Sequence, residues 1–185
     1  MRVTEERVVL RRATPDDIAP LNALIDASVR RLAPGFYTPQ QIDSSLRHMF
    51  GVDTRLVDDG TYFVIEVDDV RAACGGWSRR QTLFGGDQHK ADQQATDAPV
   101  DPATVAARIR AFFVHPDYAR RGLARRMYEH CAAEARTAGF RALELMGTLP
   151  GVPLYRTLGF ETGEKVEVLL SDGVVIPCER MRLEL

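Results

Sequence analysis

Apolar positions recur along this chain with two different periods, and the switches between them mark out its elements. Val8 to Arg11 reads as a short first strand. Ile18, Leu21, Ile25, Val29 and Leu32 then repeat every three or four residues, the spacing of one buried helix face, and Pro34-Gly35 closes the segment. Thr14-Pro15-Asp16-Asp17 supplies its start: a capping hydroxyl, a proline in the first turn and an acid three residues after the cap. Thr38-Pro39-Gln40-Gln41 repeats that logic before Ile42, Leu46, Met49 and Phe50, which predicts a second helix. Residues 61–67 and 70–77 are β-rich and flank Asp68-Asp69, a hairpin signal, with Gly75-Gly76 expected to weaken or bend the second strand. Residues 79–104 have no period and are rich in Gly, Asp, Gln, Ala and Pro, so a mobile loop is expected, as a solvated insertion or a lid.

Past that loop the pattern resumes. Residues 106–114 form a strand, and residues 122–138 a helix with Leu123, Met127, Cys131 and Ala135 on one face and Gly139 as its stop. A strand over 141–146, a short helix around Tyr155 and strands over 166–170 and 174–185 complete the chain, the last two joined by Ser171-Asp172-Gly173. Pro177 cannot donate to a ladder and predicts a bulge in the last strand. The predicted order is β-α-α-β-β-β-α-β-α-β-β, an α/β chain.

With 185 residues, 45% of them hydrophobic and 27% charged, the chain is long enough for one well-buried core and too short for two large ones. A single domain over 1–185 is the expectation. A net charge of −2 argues against nucleic acid or an anionic membrane as the main partner. Cys74, Cys131 and Cys178 are odd in number, widely spaced and in apolar surroundings, which predicts buried free thiols and no metal site. The first ten residues lack an apolar signal core and no stretch reaches about 20 apolar residues, so a cytoplasmic protein is expected. A homodimer is left open.

The candidate chemistry lies in Phe112-Phe113-Val114-His115-Pro116-Asp117-Tyr118-Ala119-Arg120-Arg121-Gly122-Leu123-Ala124-Arg125-Arg126-Met127. An apolar strand runs into an arginine-glycine turn and then a helix. The first N–H groups of a helix have no intrahelical partner and carry the positive end of its dipole, so they suit phosphate. Gly122 and Ala124 allow close approach, and Arg120, Arg121, Arg125 and Arg126 add cations. There is no G-x-x-x-x-G-K-[ST] here and no three-glycine dinucleotide fingerprint, so a P-loop and a Rossmann site are both disfavoured.

The stretch resembles the coenzyme A loop of the GNAT superfamily of N-acetyltransferases, Gln/Arg-x-x-Gly-x-Gly/Ala after a strand ending apolar-Val-x-Pro. Gly122 and Ala124 match, whereas the family's first position is Ala119 here. Pro153-Leu154-Tyr155-Arg156-Thr157-Leu158-Gly159-Phe160 is similar to the family's short helix, although its usual upstream Asn is replaced by the Gly147-Thr148 region. The resemblance implies a single mixed sheet of about seven strands flanked by helices. It also implies acetyl-coenzyme A as acyl donor, its diphosphate on Arg120, Arg121, Gly122, Leu123, Ala124 and Arg125, and its pantetheine along Phe112, Phe113 and Val114. Tyr155 inherits the role of general acid toward the departing thiolate. The first two helices border the acceptor site in relatives, so Phe36, Tyr37 and Met49 are candidates to line it beside an ordinary packing role.

The acceptor implied is a primary amine of a small molecule or peptide. For the base, Glu66, Glu144 and His115 are the candidates in the sequence, each also readable as structural. The rival function is a non-catalytic acyl-coenzyme A sensor or interaction module on the same fold.

Overall fold

The computed structural model describes residues 6–90 and 97–185. Its strands are β1 (Val8–Arg12), β2 (Tyr62–Val67), β3 (Val70–Ser78), β4 (Ala107–Val114), β5 (Ala142–Thr148), β6 (Glu161–Leu169) and β7 (Val175–Glu184). They form one sheet in the order β1-β2-β3-β4-β5-β7-β6, antiparallel throughout except where β4 meets β5. Helices α1 (Ile18–Leu32), α2 (Pro39–His48) and α3 (Thr54–Asp58) precede β2; α4 (Asp87–Lys90) lies before β4; α5 (Leu123–Thr137) follows β4 and α6 (Val152–Thr157) follows β5.

The sheet is a middle layer with a core on each face. Leu123, Met127, Cys131 and Ala135 of α5 pack with Phe63, Ile65, Trp77, Leu143 and Leu145 on one side. On the other, Leu21, Leu24, Ile25 and Val29 of α1 join Ile42, Leu56, Tyr62, Val64, Cys74 and Ile176. The three cysteines are free and buried, as expected. The helical faces thus follow the spacing read from the sequence, and at Thr38 the expected capping box forms, with Gln41 N–H donating to the Thr38 hydroxyl at 3.2 Å.

Several elements differ from the sequence reading. α3 and α4, of five and four residues, are too short to show a period. β6 begins at Glu161, earlier than expected, because its first residues lie on an exposed edge and carry no alternation. Pro177 sits in a regular part of β7: its carbonyl accepts from the Tyr37 hydroxyl at 2.7 Å, and β5 pairing starts only at Cys178, so no ladder donor is missed. The irregularity lies instead in β6, between Thr162 and Lys165. Part of the aperiodic stretch, residues 91–96, lies outside the described residues. Its flanks are bonded to one another, Val100 N–H to the Arg79 carbonyl at 2.7 Å and Gln81 N–H to the Ala98 carbonyl at 3.1 Å.

Asp17 ties the start of α1 to the sheet. Its buried carboxylate accepts from Arg11 of β1 at 2.7 and 2.9 Å, from Arg71 of β3 at 2.8 Å and from the Thr14 N–H at 2.9 Å. The bonds from Arg11 hold this carboxyl far below the usual carboxylate range, helped by Thr14 and Arg71 against the opposing effect of burial. A depressed folded-state pKa gives stability that is full above the unfolded value, about 3.9, and is lost as pH falls through the folded one. We therefore expect Asp17→Asn to destabilise the fold by about 1.5–3 kcal/mol at pH 7, the worth of charged hydrogen bonds. Urea titrations should show that gap narrowing below about pH 4, as the unfolded wild-type chain takes up a proton that the folded carboxylate does not.

Candidate active site

The site begins with a break in the alternation of β4. Ile109, Phe112 and Val114 join the α5-side core, Ala111 and Phe113 the opposite one, and Arg110 also turns to that opposite side to reach Asp53. Two consecutive residues on one face are the mark of a β-bulge, and the register shifts here, from Gly76↔Arg110 to Cys74↔Phe113. Ala111 has φ +51, a left-handed conformation strained for a residue with a Cβ.

The two glycines opposite the bulge give way to aromatic rings and do not simply weaken the strand. A Cβ on Gly75 would lie 2.3 Å from the Phe112 ring, and one on Gly76 would lie 2.3 Å from the Thr61 carbonyl oxygen and 2.9 Å from the Tyr62 ring.

A bulge adds local twist, and beyond it β4 and β5 part. They pair only at Ala107↔Leu143 and Arg108↔Glu144. Between the parted strands is a cavity of about 70 Å³ lined by Ile109, Ala111, Phe112 and Phe113 from β4, Leu145, Met146 and Thr148 from β5, and Tyr155. That is far below the roughly 300 Å³ of a pocket enclosing a whole drug-sized ligand, so the space suits a small reacting group. Met49, Phe50, Phe84 and Gly85 close one side. Phe50 and Gly51 also line a larger groove of about 460 Å³ between α1 and α2, with Asp26, Arg30, Asp43, Arg47 and Gln88.

The wall formed by residues 82–87 is held by an ion pair the sequence did not reveal. Arg110 donates to Asp53 at 2.7 Å, both side chains 2% exposed, and to the carbonyls of Thr82 and Gly85. Burial lowers the Arg110 pKa and the Asp53 carboxylate opposes that effect; a guanidinium stays charged regardless. Gly86 N–H donates to the Met49 carbonyl at 2.9 Å, and Asp87 accepts from Thr54 N–H at 3.1 Å. The only sequence hint was an arginine inside an apolar strand.

The loop after β4 presents its backbone. Arg120 has φ +64 and Gly122 φ +80, and the first helical bond at this end runs from Arg126 N–H to the Gly122 carbonyl. The N–H groups just before it have no acceptor within the helix. Arg121 is paired with Glu6 and stacked 5.2 Å over Tyr118, and Arg126 reaches the Val8 carbonyl at 3.3 Å. Arg120 and Arg125 are exposed and, among the described residues, have no side-chain partner. Leu123 is buried in the α5-side core, while Gly122 is open, with nothing within 4 Å of where a Cβ would stand.

Tyr155 lies on α6 with its ring 5.6 Å from Phe160 and 6.5 Å from Phe112. It is 9% exposed, and its hydroxyl has no hydrogen-bond partner among the described residues. Burial, with a smaller effect of Cys131, pushes that hydroxyl well above the usual tyrosine range, so it stays protonated.

Other candidates lie elsewhere. Tyr37 is a buried tether, donating to Pro177 and accepting from Leu149 N–H at 2.9 Å, and Phe36 is exposed; of the acceptor trio only Met49 reaches the cavity. Glu66 accepts from Arg11, Glu144 is held between Arg108 and Arg180, and His115 meets Tyr118 edge to face. None of these three lines the cavity.

A family model described as the acetyltransferase (GNAT) family matches residues 27–160. No curated protein sequence matches. Among solved structures, a GCN5-related N-acetyltransferase of Rhodopseudomonas palustris superposes with a TM-score of 0.71 at 15% identity, over 100% of both chains. The PaiA N-acetyltransferase of Thermoplasma acidophilum, in complex with coenzyme A, gives 0.66 at 10% identity over 97% of this chain and 99% of its own. A Drosophila melanogaster polyamine N-acetyltransferase that forms N-acetylagmatine gives 0.62 at 17% identity, over 97% and 100%. At such identities these likenesses speak for the fold.

The buried pair makes a sharp expectation. Arg110→Met removes the buried guanidinium that balances the Asp53 charge and should destabilise the protein by about 3–5 kcal/mol, whereas Arg110→Met with Asp53→Asn should recover much of the loss. Asparagine keeps the cap that Asp53 gives α3, where it accepts from Arg55 N–H. Chemical denaturation of both variants checks it.

Proposed function

Since the chain belongs to the GNAT acetyltransferase family, we propose that it transfers an acetyl group from acetyl-coenzyme A to a primary amine of a small-molecule or peptide acceptor. The reading is carried by one continuity: the parted edge of β4 leads from the cavity holding Tyr155 straight into the helix start at Gly122. A thioester with a long diphosphate tail needs that layout, a narrow reacting end and a distant anion cradle. Coenzyme A fits the residues present. The unpaired N–H groups of Gly122, Leu123, Ala124 and Arg125 with the exposed guanidiniums of Arg120 and Arg125 suit its diphosphate, and Arg121 contributes backbone, its side chain being taken by Glu6. The free edge of Phe112, Phe113 and Val114 suits its pantetheine amides.

When bound, the thioester supplies the activated acyl group. The chain's residues do the rest. The amine enters by the groove between α1 and α2, past Phe50 and Gly51. A backbone N–H of the bulge stabilises the carbonyl oxygen as it gains charge. Tyr155, kept protonated by burial, donates its proton to the departing sulfur. Among the described residues the cavity lining contains no carboxylate or histidine, so the amine loses its proton to water.

A thiol-release screen of amines with acetyl-coenzyme A tests the class and finds the acceptor; coenzyme A binding without release toward any amine would favour an acyl-coenzyme A sensor instead. Gly122→Asp should weaken coenzyme A affinity about tenfold or more by setting a negative charge at the helix start. The position has room for a side chain, although its φ of +80 strains any residue other than glycine; unchanged calorimetric affinity in the folded variant would remove the loop from the site. Tyr155→Phe keeps the ring and removes only the donor. Turnover should fall on the order of a hundred- to ten-thousand-fold in the chemical step with cofactor affinity unchanged; wild-type turnover in that variant would leave Tyr155 as a packing residue.

A further inference from the structure

The bulge is not left to hold itself. Tyr62 is 0% exposed, and its ring crosses beneath Gly76 on the face away from α5, so that a Cβ there would strike it. The hydroxyl thereby skips a whole strand and donates to the Ala111 carbonyl at 3.0 Å. This is the same Ala111 that sits at φ +51. A side chain from β2 therefore clamps one strained peptide unit of β4, with β3 between them.

The direction of that clamp matters. No peptide bond among the described residues is cis, and in a trans peptide the C=O of one residue and the N–H of the next point in opposite directions. Fixing the Ala111 carbonyl on Tyr62 thus aims the Phe112 N–H the other way, away from Tyr62 and toward the gap between β4 and β5. The cavity wall there is built from Ala111, Phe112 and Tyr155. Gly75 completes the arrangement by leaving room for the Phe112 ring on the opposite face.

We propose that Tyr62 is a positioning residue for acyl transfer: by holding the Ala111–Phe112 peptide it presets the Phe112 N–H as the donor to the thioester oxygen. The role rests on the acyl-transfer reading above. A preset donor gives its full effect as charge develops, because nothing has to reorient during the reaction. Loss of the clamp frees the strained peptide to rotate, and an N–H that swings away no longer meets the oxygen. Tyr62 itself never touches the substrate.

The test is Tyr62→Phe, which keeps the ring over Gly76 and deletes only the hydroxyl. With an amine found active for the wild type, kcat should fall roughly ten- to a hundredfold, as expected for a displaced oxyanion donor. KM for acetyl-coenzyme A should stay within about twofold, a split that simple loss of folded protein would not produce once kcat is normalised to active sites. In wild-type protein, the Phe112 amide proton should move downfield in NMR spectra on addition of acetyl-coenzyme A, a measurement that does not depend on the variant folding. An active wild type with an unchanged Tyr62→Phe kcat, or an unmoved Phe112 amide in protein saturated with acetyl-coenzyme A, overturns the role of Tyr62 and leaves acyl transfer standing. A wild type inert toward every amine overturns the acyl-transfer reading and this role with it.

Discussion

One residue too many in β4 governs this molecule. The bulge at Arg110 and Ala111 turns two neighbouring side chains to one face and shifts the register against β3; past it β4 no longer pairs with β5. Both consequences are needed. The parting creates the cavity, and the break in alternation turns Ala111 to the same face as Arg110 and leaves Phe112 against the α5-side core. A bulge stores strain and is kept only where its surroundings determine it fully. Here they do, through the Tyr62 hydroxyl on one side and the two glycines of β3 on both.

The buried Arg110–Asp53 pair shows why a charged group belongs in this place. An apolar pair of similar volume could be as stable or more so, yet it could not fix backbone. Arg110 spends its remaining donors on the carbonyls of Thr82 and Gly85, so one guanidinium joins β4, the α3 cap and the wall of residues 82–87. The wall is irregular chain whose carbonyls would otherwise face the interior unsatisfied.

Much of the fold was legible because it rests on local signals. The period of α1, the capping box at Thr38, the strand runs other than that of β6 and the Gly122 helix start appear where the sequence put them, and the seven strands come in the expected order. The ring of Tyr155 lies 6.5 Å from that of Phe112. What escaped was set by distance or by brevity. Asp53 and Arg110 are 57 positions apart, and nothing in either neighbourhood announces the other. α3 and α4 are shorter than two helical turns. Gly75-Gly76 looked like a weakness because a glycine's purpose lies in what occupies the space it vacates, and those rings come from Tyr62 on one strand and Phe112 on another.

The slender contact between β4 and β5 has a mechanical meaning. Two ladder pairs are all the backbone pairing that joins a four-stranded leaf, β1 to β4, to a three-stranded one, β5 to β7. Elsewhere each strand is stitched to its neighbour over five or more pairs. Past that seam the leaves are held together by side chains instead of ladder: α5 lies on Phe63 and Trp77 of one leaf and on Leu143 and Leu145 of the other, and the Tyr37 hydroxyl bridges Pro177 and Leu149 on the opposite face.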